Sequence, residues 1–268
     1  MPGPRNYQTE AVIIKKTKLG EADRILTLYT PALGKFQAVA KGVRRPKSKL
    51  SGHLELLTHS QVTLARGRNL DIITGSQTIT GFLPLKTDLW LTSYGLYVIE
   101  LVSQFTADHV EDESLFRLLL DTMQYLCQTN NRELLLRYFE THLLGECGYQ
   151  PQLYECVVCH KPLEPIINSF CDSVGGALCP VCGMNQPFSR PISVNALKVL
   201  RFIQGNDFNA VGRLKIDAAL SRELESITRS YLKYLLERDV RSANWLDELK
   251  NQMEQTGNFK AAINRLND

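Results

Sequence analysis

No run of about 20 consecutive apolar residues occurs in this 268-residue chain, so no segment is long enough to cross a membrane as a helix. Equally missing are a Walker loop, a Rossmann glycine fingerprint, a nucleophile elbow and a His-Glu-x-x-His pair. Those absences remove the recognisable machinery of nucleotide hydrolysis, hydride transfer, acyl transfer and zinc proteolysis. There is no internal repeat and no low-complexity tract, which excludes solenoids and biased linkers. Histidine is scarce: five residues, His53, His59, His109, His142 and His160, stand apart from one another. Charged residues make up only 22% beside 44% apolar content, a balance that supports folded cores and argues against wholesale disorder.

One stretch imitates a catalytic motif. His53-Leu54-Glu55 matches the His-x-Glu half of a zinc nucleobase deaminase, with Cys-x-x-Cys downstream. That signature places Pro before its first Cys, whereas Glu155 precedes Cys156 and Leu178 precedes Cys179. The match therefore fails, and the chain reads as a binding protein without catalytic residues or a small-molecule substrate.

The net charge of +3 conceals an asymmetry. Residues 1–90 carry fourteen Lys or Arg against six Asp or Glu, and the remainder carries seventeen against twenty-two. A basic first third joined to a mildly acidic remainder points to one module that meets a polyanion. Its densest part is Lys41-Gly42-Val43-Arg44-Arg45-Pro46-Lys47-Ser48-Lys49, with five cations in nine positions and no acid. Pro46 keeps this run from becoming a regular helix, so it reads as a flexible cationic loop able to follow phosphates. Arg66 and Arg68 extend the same surface, and Tyr29 and Phe36 are candidate stacking residues that equally suit a core. Seven cations on a single strand would give a salt slope of about −0.7 each, near −5 in all.

Periodicity supplies the architecture. Thr9–Lys15, Arg24–Thr30, Lys35–Lys41, Leu54–Ala65 and Leu70–Ile79 read as strands, rich in β-branched residues or alternating with period two. Pro31 to Gly34 and Arg66 to Asn69 supply turns. Five short strands of this kind fit a small closed barrel of the oligonucleotide-binding (OB) type, with an SH3-like barrel as the alternative. From Asp88 the period changes. Trp90, Tyr94, Tyr97, Leu101 and Phe105 fall on one helical face, and Leu115, Leu119, Met123 and Leu126 repeat the pattern, followed by Leu135, Tyr138, Phe139 and Leu143. Ser193 suits the N-cap of a helix through Ala196, Val199, Leu200 and Ile203 that Gly205 ends. Leu220, Leu224, Ile227, Tyr231 and Leu235 mark a long helix, and Leu246–Gln255 a last one, with residues after Gly257 weakly held. The expected fold is α+β: an OB-type barrel over residues 1–82, then a mostly helical domain over residues 83–268.

Seven cysteines occur, and four form two Cys-x-x-Cys pairs, Cys156 with Cys159 and Cys179 with Cys182, separated by nineteen residues. This is the spacing of a four-thiolate zinc ribbon, because each pair grips two corners of a tetrahedron. Gly and Pro crowd the region, so a zinc module is expected over about residues 150–190. The odd cysteine count, and the lack of a secretory signal at the start, argue against disulfides and for a cytoplasmic protein. A closed thiolate set leaves no position for water, so zinc is expected to be structural. Cys171 could in principle replace a ligand; Cys127 and Cys147 read as buried small hydrophobes.

The order of these features resembles the bacterial recombination mediator family RecO. The resemblance rests on Glu21-Ala22-Asp23-Arg24-Ile25-Leu26-Thr27-Leu28-Tyr29-Thr30, Gly34-Lys35, Ala40-Lys41-Gly42-Val43-Arg44-Arg45 with Ser48, and Leu178-Cys179-Pro180-Val181-Cys182-Gly183. It implies binding of single- and double-stranded DNA, annealing of complementary strands, and cooperation with RecR in loading RecA onto DNA coated by single-strand-binding protein. DNA contact is carried over to Lys35, Lys41, Arg44, Arg45, Lys47, Lys49, Arg66 and Arg68, with Lys47, Arg66 and Arg68 resting mainly on charge and position. The alternative is a zinc-ribbon RNA- or protein-binding factor of translation or transcription.

Overall fold

A computed structural model describes residues 5–250. Strands β1 (Asn6–Leu19), β2 (Asp23–Thr30), β3 (Gly34–Ala40), β4 (His59–Ala65) and β5 (Asp71–Thr80) close into a barrel in the order β1-β2-β3-β5-β4. This is the OB-type architecture. All pairings are antiparallel except the short β3–β5 seam, where Ala38 lies opposite Asp71 and Val39 opposite Ile72. Ala11, Ile13, Leu26, Leu28, Val62 and Leu64 fill the interior from alternating inward positions.

Two strands depart from the sequence reading. The first is twice the expected length, because β1 serves two neighbours: Asn6–Val12 pair with β4 and Val12–Leu19 with β2, with a register shift between Ile13 and Lys15 that lets it bend around the barrel. The fourth begins at His59 rather than Leu54. Leu54 and Leu57 are buried, but in a turning segment in which Leu57 has φ +58°. Leu54 enters the barrel core and Leu57 the helical core, so the apolar signal there reports burial rather than a strand. Gly95 makes room for Leu57: a Cβ at residue 95 would stand 2.9 Å from a Leu57 methyl.

The helices are α1 (Pro84–Thr87), α2 (Leu89–Phe105), α3 (Glu113–Gln128), α4 (Arg132–Glu146), α5 (Pro180–Met184), α6 (Val194–Gly205), α7 (Phe208–Val211) and α8 (Ala218–Leu236). Asp88, Asp112, Ser193, Asp207 and Asp217 cap α2, α3, α6, α7 and α8, each accepting from the N–H three residues on. The core-facing stripes are as expected along α3, whereas Trp90 and Phe105 at the ends of α2 are only half-buried. Residues 241–250 form a further helix that starts five residues before Leu246; the expected continuation to Gln255 lies outside the described residues. Among the described residues no helix is long and apolar enough to cross a membrane.

Between α4 and α6 the chain forms a small three-stranded sheet, β6 (Asn168–Cys171), β7 (Gly176–Leu178) and β8 (Arg190–Ile192), in the order β7-β6-β8. The segment leading to Cys156 runs beside β7, with Ala177 donating to the Gln152 carbonyl and Val157 to that of Ala177. Gly176 is required by this approach, since a Cβ there would lie 2.4 Å from the Gln152 oxygen. Phe170 meets Tyr231 of α8 edge to face, at 5.7 Å between centroids, so the sheet shares its core with the helices.

Candidate nucleic-acid interface and metal centre

The cationic run after β3 is not a loose loop. Gly42, at φ +63°, turns the chain, and its N–H donates to an Asp23 carboxylate oxygen at 2.7 Å. Arg44 N–H donates to the Ala22 carbonyl at 3.0 Å, and its guanidinium reaches the Gly20 carbonyl at 3.2 Å. Bonds from Arg45 to Gly42 and from Ser48 to Arg45 add two more turns, and Val43 is buried against the barrel core. The run is therefore held against the β1–β2 hairpin, and that clasp presents Lys41, Arg44, Arg45, Lys47 and Lys49, all exposed, to solvent. The expected flexibility gives way to order because the hairpin tip supplies acceptors for its N–H groups.

Arg66 and Arg68 are exposed on the β4–β5 loop, which enters the β3–β5 seam at Asp71 just as Lys41 leaves it two residues past Val39. The Arg66 guanidinium lies over the Tyr7 ring, 5.1 Å from its centroid, and the Tyr7 hydroxyl donates to Asp71 at 2.5 Å. Burial and the Asp71 carboxylate hold that phenol protonated well above its ordinary range.

Lys35 has a different position. Its ammonium donates to the carbonyls of Ser103 at 2.6 Å and Thr106 at 2.7 Å and lies 3.4 Å from Asp108, all beyond the barrel. At 13% side-chain exposure, with two hydrogen bonds and an ion pair made inside the protein, it fastens the barrel to α2 rather than standing free at the surface. Tyr29 and Phe36 are likewise withdrawn: Tyr29 is fully buried against Phe116, and Phe36 stacks on His109. The register also brings Lys18 and Arg24 together as cross-strand neighbours on the hairpin, with Arg24 paired in turn to Ala40 at the root of the run. Their charge was visible; their adjacency needed the register.

The four paired cysteines converge. The sulfurs of Cys156, Cys159, Cys179 and Cys182 all lie within 4.8 Å of one another, with Cys159 and Cys179 at 3.9 Å. A tetrahedral ion with bonds of about 2.3 Å to sulfur separates its ligands by about 3.8 Å, so the set is of a size to hold a metal ion. Burial would keep Cys156 protonated, but N–H groups of Cys159, Cys179 and Val158 turn to its sulfur and bring the thiol down to about 6. Cys182, bonded by Cys179 and facing the other sulfurs, is pushed up to about 12. Cys171 is buried beside Ser173 and Pro187 and stands outside this group, and the exposed His160 occupies the turn after Cys159 with φ +57°. His53 bonds to Thr78 and Glu55 pairs with Lys16, so neither residue of the deaminase-like triplet joins the cysteines.

The chain matches the families described as Recombination protein O N terminal over residues 4–82 and Recombination protein O C terminal over residues 86–244. A DNA repair protein RecO of Dehalococcoides mccartyi is 46% identical over 250 residues, covering 93% of this chain and 98% of the relative. One from Roseiflexus sp. is 42% identical over 249 residues, covering 93% and 88%. A more distant one from Bacillus mycoides is 27% identical over 224 residues, covering 84% and 90%.

Proposed function

The chain belongs to the Recombination protein O family, and from that premise we propose that it is a recombination mediator: a non-enzymatic protein that binds single- and double-stranded DNA and anneals complementary strands. With RecR as its partner, it helps load RecA onto DNA coated by single-strand-binding protein, in the cytoplasm. The names of its relatives supply the DNA-repair setting. The observation that carries the binding surface is the clasped run with five exposed cations, beside Arg66, Arg68, Lys18 and Arg24 on neighbouring barrel elements. Lys35 is left out of that surface for the reason given above.

The chemistry needed is modest. Each cation that meets a phosphate releases condensed counterions, which drives binding at low salt. With both backbones screened, two complementary strands approach closely enough to pair, and no covalent bond is made or broken. The fixed turns hold the guanidinium and ammonium groups outward, so less loop entropy is lost on binding than a free loop would lose.

The four cysteines fit zinc as a structural ion, since a closed thiolate set has no open position for substrate. Held there, zinc would fix the β6–β8 sheet against α8. We assign the barrel, in the region matched over residues 4–82, to DNA, and the helical part, in the region matched over residues 86–244, chiefly to partners.

Annealing of complementary strands precoated with single-strand-binding protein, with and without RecR, tests this reading. Acceleration that depends on Arg44 and Arg45 supports it; no acceleration, or a strong preference for RNA of equal sequence, contradicts it.

A further inference from the structure

Between the barrel and the helical part lies an open cleft of about 710 Å³. Its barrel wall carries Lys15 of β1, and its far wall carries Arg238, Arg241 and Trp245 from the segment after α8. Lys15, Arg238 and Arg241 are exposed and make no ion pair among the described residues. The acids nearby are already engaged: Glu100 accepts from the N–H groups of Arg241 and Ser242, at 3.0 and 2.8 Å, and Asp239 pairs with Lys233. Gln104 Oε1 and Ser242 Oγ are buried at the cleft without a hydrogen-bond partner, and polar groups in that state favour a ligand that can bond to them. Ile14 and Leu96 add apolar lining beside the half-buried indole of Trp245.

We propose that this cleft is a second nucleic-acid subsite, which receives the continuation of a single strand held by the cationic run on the barrel. The inference rests on the DNA-binding reading of that run and extends it. Continuity along the barrel argues for nucleic acid rather than an acidic peptide. Lys41 follows Ala40, Ala40 pairs with Arg24, and Arg24 pairs with Lys18; Lys16, two residues along β1 on the face of Lys18 and about 7 Å away at 3.3 Å per residue, lines the cleft in its pair with Glu55. One face of β1 thus leads from the run to the cleft mouth, where Lys15 adds a cation from the opposite face. At its end the site combines phosphate-binding cations with an aromatic face and bonding partners for base edges, the combination that single-strand grooves use.

The test uses the full chain and two labelled oligothymidylates, one short enough to cover only the barrel run and one several times longer. Arg238→Glu with Arg241→Glu is expected to leave short-oligonucleotide affinity unchanged. It should weaken the long one about tenfold and reduce its salt slope by about 1.4, two single-strand contacts at about 0.7 each. In a Trp90→Phe background, Trp245 fluorescence should be quenched by the long oligonucleotide and not by the short one. Unchanged long-oligonucleotide affinity and slope would overturn the subsite while leaving the barrel reading intact. Quenching by an Asp- and Glu-rich peptide, with none by DNA, would overturn it in favour of a protein ligand. Failure of the unmodified protein to bind either oligonucleotide would instead sink the reading on which the subsite rests. Since both arginines are exposed, an unchanged melting temperature checks that the variant is folded.

Discussion

The Lys35 ammonium of β3 sits 2.6 Å from the Ser103 carbonyl in the last turn of α2, so a cation of the barrel closes the C-terminal end of a helix outside it. That helix has no basic residue of its own in its last turn. The final carbonyls of any helix lack intrahelical donors and carry partial negative charge. Lys35 satisfies two of these needs at once, at Ser103 and Thr106. The neighbouring chain joins in: His109 N–H donates to the Lys35 carbonyl at 2.9 Å, and a Cβ on Gly34 would fall 2.0 Å from the Val110 oxygen.

Lys35→Ala is therefore expected to act as a stability mutation. Leaving those carbonyls without a donor should cost about 1–3 kcal/mol in urea denaturation, while single-strand affinity of the folded variant changes less than twofold. Gly34→Val should cost more, because the close approach adds to the strain of φ +61°. A Lys35→Ala protein of normal stability but weak DNA binding would return Lys35 to the binding surface.

Asp23→Ala distinguishes the clasp from simple charge. Removing an acid beside a cationic run should raise DNA affinity if only net charge matters. Because the Asp23 carboxylate holds the Gly42 N–H at 2.7 Å, its loss frees the run. Affinity is expected to fall about fivefold, equivalent to about 1 kcal/mol, a part of the roughly 1.5–3 kcal/mol that a hydrogen bond to a charged group contributes. Fluorescence anisotropy at fixed salt reads the sign directly.

How much of this was legible in the sequence depends on how local each relationship is. The barrel strands, the long helices, the Ser193 cap and the Cys-x-x-Cys pairs follow from neighbours a few residues apart, whereas the short strands β6–β8 and the caps Asp88, Asp112, Asp207 and Asp217 are not part of the sequence reading. The role of Lys35 does not follow from its neighbours, because its partners lie 68 and 71 residues away and charge alone suggested a phosphate. Leu54 and Leu57 have strand-like apolarity, yet a positive φ at Leu57 and its insertion beside Gly95 are tertiary facts. Asp23 and Gly42 stood out in the sequence as marks of a resemblance; only the hydrogen bond between them explains why those two residue types occur there.

Metal removal should affect the helical part first. A zinc-selective chelator, or Cys179→Ser, is expected to release one metal ion per chain and to lower the melting temperature. Short-oligonucleotide binding by the barrel should persist at temperatures below the new transition. Protons compete with metal for thiolates, so chelation should become easier as pH falls. Loss of DNA binding in a folded, metal-free protein would show that the cysteine module touches DNA itself.

Acid sensitivity should originate at buried histidines. Burial lowers the pKa of His59, against the opposing pull of Glu10, and burial also lowers that of His142, whose Nε2 lies 3.0 Å from the Ile203 carbonyl. A histidine with a depressed folded pKa binds more protons when unfolded, so its stabilising contribution is present above the unfolded value of about 6.5 and is lost as pH falls through the folded value. His59 packs on Phe116 of α3, so its protonation loosens the contact between barrel and helices. Urea midpoints should fall between pH 7 and pH 5, and His59→Gln should flatten part of that slope. An unchanged slope in His59→Gln would exclude His59 as the source.

The claim that DNA is held by the clasped run on the barrel is tested most directly by single-strand affinity against salt concentration for the unmodified protein and for Arg44→Glu with Arg45→Glu. The account predicts at least a tenfold loss at low salt and a slope shallower by about 1.4, two contacts at about 0.7 each, with the protein still folded and only the small stability loss expected from the exposed Arg44–Gly20 hydrogen bond. Equal affinity and equal slope in the two proteins would contradict it.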